Sequence, residues 1–287
     1  MNTLGIFHTK LCDYWGPGKL SLNTLSGLEK MGVPVIRNNY GEYNFCLGCS
    51  VRSSFLNKNV KNAIIGPATF NFPPPNVLSQ YSKFLVAGPW LRQRWINQGI
   101  PPENVSVWPG GIEDSYFEVD KNIKYDCLIH YKRTSIDRLN LVVEALKNLN
   151  LTYKIIGKNS SYYSSNHNYD SVQLLKLASE CRFAYIVDGT ETQGFANMEI
   201  LSTNTPCIVY ENNPNGLSYS EIHKDQPLPT SVPYFSDDCG IITTSLSKET
   251  ITNFIDRIPT YQPRKFMQNF TIQKSCEQLL GFFNQLV

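Results

Sequence analysis

Two hydrophobic patterns alternate along the chain. Short apolar runs at 3–8, 33–36, 45–47, 63–65, 84–86, 105–108, 125–129, 153–156, 183–187, 207–210 and 239–243 have the length of strands buried on both faces of a parallel sheet. Between several of them the spacing changes to that of an amphipathic helix. Leu20, Leu22, Leu25 and Leu28 predict a helix over 20–31 ended by Gly32, and Trp90, Leu91, Trp95 and Ile96 predict one over 89–98. Further helices are predicted over 137–148, over 170–181 from Val172, Leu174, Leu175, Leu177 and Ala178, and over 195–203, 248–257 and 272–286. Strands alternating with helices mean an α/β protein with parallel sheets. A length of 287 residues suits two domains, and Gly110-Gly111 between the two series is a natural hinge. The boundary is therefore placed near Ile112, giving domains 1–112 and 113–267.

One stretch, 183–210, carries candidate chemistry. An apolar run is followed by a polar turn over 188–193, then Gly194, then a helical segment stopped by Asn204 and Pro206, then a second apolar run. The turn lies at the carboxyl end of a strand, where open α/β sheets bind ligands. The unpaired N–H groups of the following helix start, at Gly194, Phe195, Ala196 and Asn197, suit a pyrophosphate. Glu191 before the helix and Glu199 inside it suit sugar hydroxyls, because carboxylates accept strong hydrogen bonds from neighbouring OH groups. Phosphate flanked by hydroxyl acceptors describes a nucleotide sugar.

The spacing Glu191-x7-Glu199, with Gly194 three positions after the first acid and Thr205-Pro206 six and seven after the second, resembles the E-x7-E motif of retaining family-4 glycosyltransferases. The sequence departs from the usual E-G-F-G of that motif with Thr192 and Gln193. The resemblance implies the GT-B fold, two Rossmann-like β/α/β domains facing each other across a cleft, with the last helix (268–287) crossing back to complete the N-terminal domain. It puts Glu191 on the donor sugar and Glu199 on the ribose. It also puts Lys132 and Arg133, in the basic run 130–134, on the donor diphosphate, and the polar loop beginning at Gly157 near the base, where tyrosines would stack or the loop would be a disordered lid. Gly16, Gly18 and Lys19 of the G-P-G-K run resemble the glycine-rich loop near the donor phosphates; the same run also reads as a surface turn. The run Pro109-Gly110-Gly111-Ile112-Glu113 is similar to the family's interdomain linker.

Composition narrows the partners. A formal net charge of +2 provides no basic field for nucleic acid. No apolar run of about 18 residues and no signal-peptide pattern is present, so the chain reads as soluble and cytoplasmic without a transmembrane segment. The eight cysteines read as reduced core thiols. Cys46-x-x-Cys49 is either redox-active or half of a zinc site, and nothing completes the zinc site, so no metal is expected. Of the histidines 8, 130, 167 and 223, His130 is the best placed, and none stands out as a catalytic base. The function expected is transfer of a hexosyl or pentosyl group from a UDP- or GDP-linked donor to a glycan, protein-linked glycan or other hydroxyl acceptor. Retention, metal independence and the lack of a resident cofactor follow from the resemblance. A sugar-nucleotide epimerase, a glycan phosphorylase and a noncatalytic nucleotide-sugar-binding protein or scaffold are the alternatives.

Overall fold

Apolar residues on both faces of the central strands leave those strands no solvent side, so helices must cover them twice over. The computed structural model describes residues 3–8, 11, 16–47, 62–68, 79–132, 134–157, 170–189, 191–211 and 230–286. The chain divides into one unit of Met1–Ile112 with Phe270–Val287 and a second of Glu113–Asn269.

In the first unit β1 (Leu4–His8), β2 (Val35–Arg37), β3 (Tyr43–Leu47), β4 (Ala63–Ala68), β5 (Lys83–Val86) and β6 (Val105–Val107) form a six-stranded sheet of order β2-β1-β3-β4-β5-β6. Every pairing is parallel. Helix α1 (Gly16–Lys30) follows β1, and α2 (Pro89–Asn97) buries Trp90, Leu91 and Trp95 against the sheet side of β5 and β6.

The second unit is built from β7 (Tyr125–Lys132), α3 (Ile136–Asn148), β8 (Tyr153–Gly157), α4 (Ser171–Ser179), β9 (Cys181–Asp188), α5 (Phe195–Ser202), β10 (Cys207–Tyr210), β11 (Gly240–Thr243), α6 (Lys248–Arg257) and α7 (Pro263–Met267). Its parallel sheet has the order β11-β10-β9-β7-β8. The winding reverses at β7: the chain first moves out to β8, then returns to the other side of β7 as β9. Cys127, Ile129 and Tyr131 of β7 join Phe183, Tyr185 and Val187 of β9 on one face, beneath Leu139, Val142 and Leu146 of α3 and Ile251 and Phe254 of α6. By the two-residue repeat of a strand, Leu128, His130 and Lys132 point to the opposite face.

The chain returns to the first unit as α8 (Ile272–Asn284). Trp108 Nε1 donates to the Ser275 carbonyl at 2.9 Å, Ser275 Oγ to the Pro109 carbonyl at 2.7 Å, and Asn23 Nδ2 to the Gly111 carbonyl at 2.7 Å. Helices α1 and α8 touch where Gly27 has no side chain; a Cβ there would lie 2.5 Å from Ile272 Cγ2 and 2.6 Å from Cys276 Sγ. Gly27→Leu is expected to cost about 1–3 kcal/mol by overpacking, measured as a lower urea midpoint at unchanged slope. An unchanged midpoint would mean that α8 is not held by this contact.

Among the boundaries that differ from the sequence expectation, two bear on the candidate residues. Gly16, Gly18 and Lys19 are not in a loop: they form the first turn of α1, with Pro17 at a helix start that its fixed φ favours. Strand β7 continues through Lys132, three residues past the end of its apolar run. Pairing on both sides, with Ile156 and Gly157 of β8 and with Ile186, Val187 and Asp188 of β9, holds the polar residues in the ladder. His130, Tyr131 and Lys132 therefore belong to the sheet and not to a basic loop.

Candidate functional site

The candidate residues of the second unit lie at the carboxyl ends of β7, β8 and β9 and in the helix that follows β9. Lys132 is the last residue of β7 and pairs in register with Asp188, the last of β9. The Gly189 N–H donates to the Lys132 carbonyl at 3.0 Å, fixing the start of the turn that leads to α5. From that turn Glu191 reaches back, and the Lys132 ammonium donates to Glu191 Oε1 at 2.6 Å. The Glu191 side chain is 8% exposed and that of Lys132 29%. The two residues expected on the sugar and on the diphosphate thus form an ion pair with each other.

Gly194 caps α5 in the left-handed region, φ 64° and ψ 36°, a backbone that favours glycine. Its carbonyl accepts from the N–H groups of Asn197 at 2.9 Å and Met198 at 3.0 Å. All eight residues of α5 are buried, Glu199 completely. A helix apolar nearly all round belongs inside, and a carboxylate inside must be hydrogen-bonded. Ser171 Oγ, at the first position of α4, donates to Glu199 Oε1 at 3.3 Å. That position is fixed by the Asp170 cap, whose carboxylate accepts from the N–H groups of Val172 and Gln173. Of the backbone expected to receive a pyrophosphate, at Gly194, Phe195, Ala196 and Asn197, the Asn197 N–H is not open as expected, because the helix turn spends it on the Gly194 carbonyl, and the segment is bordered on one side by protein. Asn197 Nδ2 donates to the Ser231 carbonyl at 2.7 Å, and Pro233 Cδ would lie 3.1 Å from a Cβ on Gly194.

Sequence reasoning missed the residues that hold this arrangement. Glu211, just past β10, accepts at Oε1 from the Thr230 hydroxyl and from the Ser231 N–H at 2.9 Å, while the Thr230 carbonyl accepts from the Glu191 N–H at 3.0 Å. Glu211 therefore fixes the backbone of Glu191 through Thr230. Arg138, in the first turn of α3, donates to the Tyr210 carbonyl and to Thr134 Oγ1 at 3.1 Å, and its guanidinium lies 5.1 Å from the centre of the Tyr210 ring. Place in the winding was the available signal, since each follows the carboxyl end of a strand, Arg138 after β7 and Glu211 after β10. His130 is 1% exposed, and both of its ring nitrogens are buried without a hydrogen-bond partner among the described residues. Burial, and then the Lys132 charge, push its pKa down to about 3, with Glu191 opposing weakly, so the ring is neutral.

Gly157, at the end of β8, has φ +145°, and any Cβ there would overlap the Tyr131 carbonyl oxygen. A close strand approach accounts for this glycine. Gly16, Gly18 and Lys19 lie in the first unit, Gly18 and Lys19 buried. Arg133, the loop 158–169 after Gly157, Cys12, Cys49, His167 and His223 lie outside the described residues. Cys46, Cys127, Cys181, Cys207, Cys239 and Cys276 are all free and buried. Among the described residues no group of three or more His, Cys, Asp or Glu is placed to hold a metal ion, and no helix is long and apolar enough to cross a membrane.

No protein-family model and no curated protein sequence matches the chain. Solved structures do match over nearly its full length. The lipopolysaccharide outer core galactosyltransferase WaaB, in its apo form, aligns at a TM-score of 0.62 with 8% identity, over 99% of this chain and 100% of that one. HepE of Anabaena, in complex with UDP and glucose, aligns at 0.56 with 10% identity, over 99% and 100%. An α-glucosyltransferase in complex with UDP and a 13-mer DNA containing a central A:G mismatch aligns at 0.59 with 10% identity, over 98% and 99%. At such identities the likeness shows the fold, which is GT-B: two α/β units, each with a parallel sheet.

Proposed function

We propose that this protein transfers a sugar from a nucleotide-sugar donor to a hydroxyl acceptor, with retention and without a metal. The observation that carries the reading is the pair of buried acids, Glu191 and Glu199, set around the first turn of α5 at the reversal of the sheet, with a lysine against the first. Burying a carboxylate is costly unless it is hydrogen-bonded and paired, and an interior needing only stability would use apolar side chains here. In this reading Glu199 takes the ribose hydroxyls, Glu191 the sugar, and Lys132 with Arg133 the diphosphate whose charge grows as the bond to the sugar breaks. The helix start at 194–197 adds its dipole. Several structures of the same fold carry UDP, which makes UDP-sugars the first donors to test and GDP-sugars the second. One neighbour also carries DNA, so the fold alone does not set nucleic acid aside; the net charge of +2 favours a glycan or another uncharged hydroxyl acceptor.

Calorimetric titration with UDP, GDP and their sugars, followed by transfer and hydrolysis assays, tests the proposal. Glu199→Gln is expected to weaken nucleotide binding by about 1–3 kcal/mol, the loss of a charged hydrogen-bond acceptor. Unchanged affinity would reject the ribose role. Donor binding with neither transfer nor hydrolysis would instead favour a binding protein, a reading supported by the protein segment at Ser231 and Pro233 that borders the α5 start.

A further inference from the structure

We infer that Glu191 holds the Lys132 ammonium when no donor is bound and releases it to the donor's diphosphate, so that the ion pair works as an exchangeable latch; this rests on the nucleotide-sugar reading above. Strands β7 and β9 flank the point where the sheet order reverses, which is where ligands of open α/β sheets bind. Lys132 ends β7 and Glu191 follows β9, so their 2.6 Å contact lies at the carboxyl ends of the two strands that flank this reversal. The two ends differ in access: the lysine side chain is 29% exposed and the glutamate 8%. An anion can approach the ammonium from solvent while the carboxylate stays beneath.

Neither backbone depends on the pair. Lys132 is held by its ladder with Asp188 and by the Gly189 N–H, and Glu191 by its own N–H to the Thr230 carbonyl. The side chains can part while the chain stays in place, and a lysine's four-carbon stem can carry its point charge from one oxygen to another. A diphosphate carries more charge than one carboxylate, so exchange is favourable for the lysine. It leaves the Glu191 carboxylate, largely buried, without this cation. Hydroxyls of the donor sugar can hydrogen-bond to it, and re-forming of the latch assists product release.

Calorimetry with UDP and with GDP tests this in four proteins: the unmodified chain, Glu191→Gln, Lys132→Ala and the double variant. Glu191→Gln is expected to bind the nucleoside diphosphate about 3- to 10-fold tighter, the release of a half-buried ion pair. In the Lys132→Ala background the same substitution is expected to change nothing, which a double-mutant cycle reads as coupling. Equal tightening in both backgrounds would mean simple charge repulsion and overturn the latch, as would no change or weaker binding in Glu191→Gln. Should Glu191→Gln not fold, Glu191→Asp is expected to tighten binding less but in the same direction, and no tightening overturns the latch. If neither UDP nor GDP binds any of the four, the nucleotide-sugar reading falls and the latch with it. Binding to the unmodified chain without coupling removes the latch alone.

Discussion

Lys132→Ala is expected to lower turnover of a nucleotide-sugar donor by about 10²–10³-fold, the usual effect of removing one preorganised group from a site of developing negative charge. Charge accumulates on the departing diphosphate as the bond to the sugar breaks, so the loss falls mainly on kcat, with KM moving less. A stability cost accompanies it. Glu191 would keep its largely buried carboxylate and lose the ammonium 2.6 Å away, and breaking a buried pair from one side costs more than removing both partners. The double variant Lys132→Ala/Glu191→Gln is therefore expected to recover part of the urea midpoint and none of the turnover. Steady-state kinetics beside urea melts separate the two effects. A Lys132→Ala protein with near-normal kcat would show that the leaving group is stabilised elsewhere.

The second large effect concerns acid. His130 is neutral in the folded chain, its pKa lowered to about 3 by burial and then by Lys132, while an unfolded histidine titrates near 6.5. The folded-state value is depressed, so the unfolded chain takes up the proton first as pH falls. The contribution to stability is whole above about pH 6.5 and is lost progressively down to about pH 3. At full loss it amounts to about 3–5 kcal/mol. Asp126, whose carboxylate burial pushes up but hydrogen bonds from Thr152 and Arg182 together hold below its ordinary value, adds a loss at the acid end of the range. Comparison with His130→Gln isolates the histidine: the two stability curves are expected to run parallel above pH 7 and to converge or cross as the unmodified protein weakens between pH 6.5 and 3. Parallel curves throughout would mean that the imidazole is not held neutral by its surroundings.

Much of the fold was legible because strands buried on both faces are written as uninterrupted apolar runs; 207–210 and 248–257 coincide with β10 and α6 to the residue. Legibility failed where pairing overrode composition. In the run His130-Tyr131-Lys132 only Tyr131 favours a strand; two neighbouring strands impose it on all three. At the G-P-G-K run glycine suggested a loop, whereas Pro17 starts a helix and Gly18 is buried within it. In the candidate site the spacing of Glu191 and Glu199 could be read from the chain, but what each touches could not. Their partners Lys132 and Ser171 are 59 and 28 residues away in sequence. Glu211 stayed hidden for the same reason, since it acts on Glu191 only through Thr230, which approaches from the far end of a long connection.

Helix α5 has no solvent-facing side, and this bears on how its residues can be assigned roles. A saturation survey that scores growth or signal alone would register a defect at nearly every one of its eight positions, whether through misfolding or through lost chemistry. Only readouts normalised to the amount of folded protein would single out Glu199 from its neighbours Met198 and Ile200.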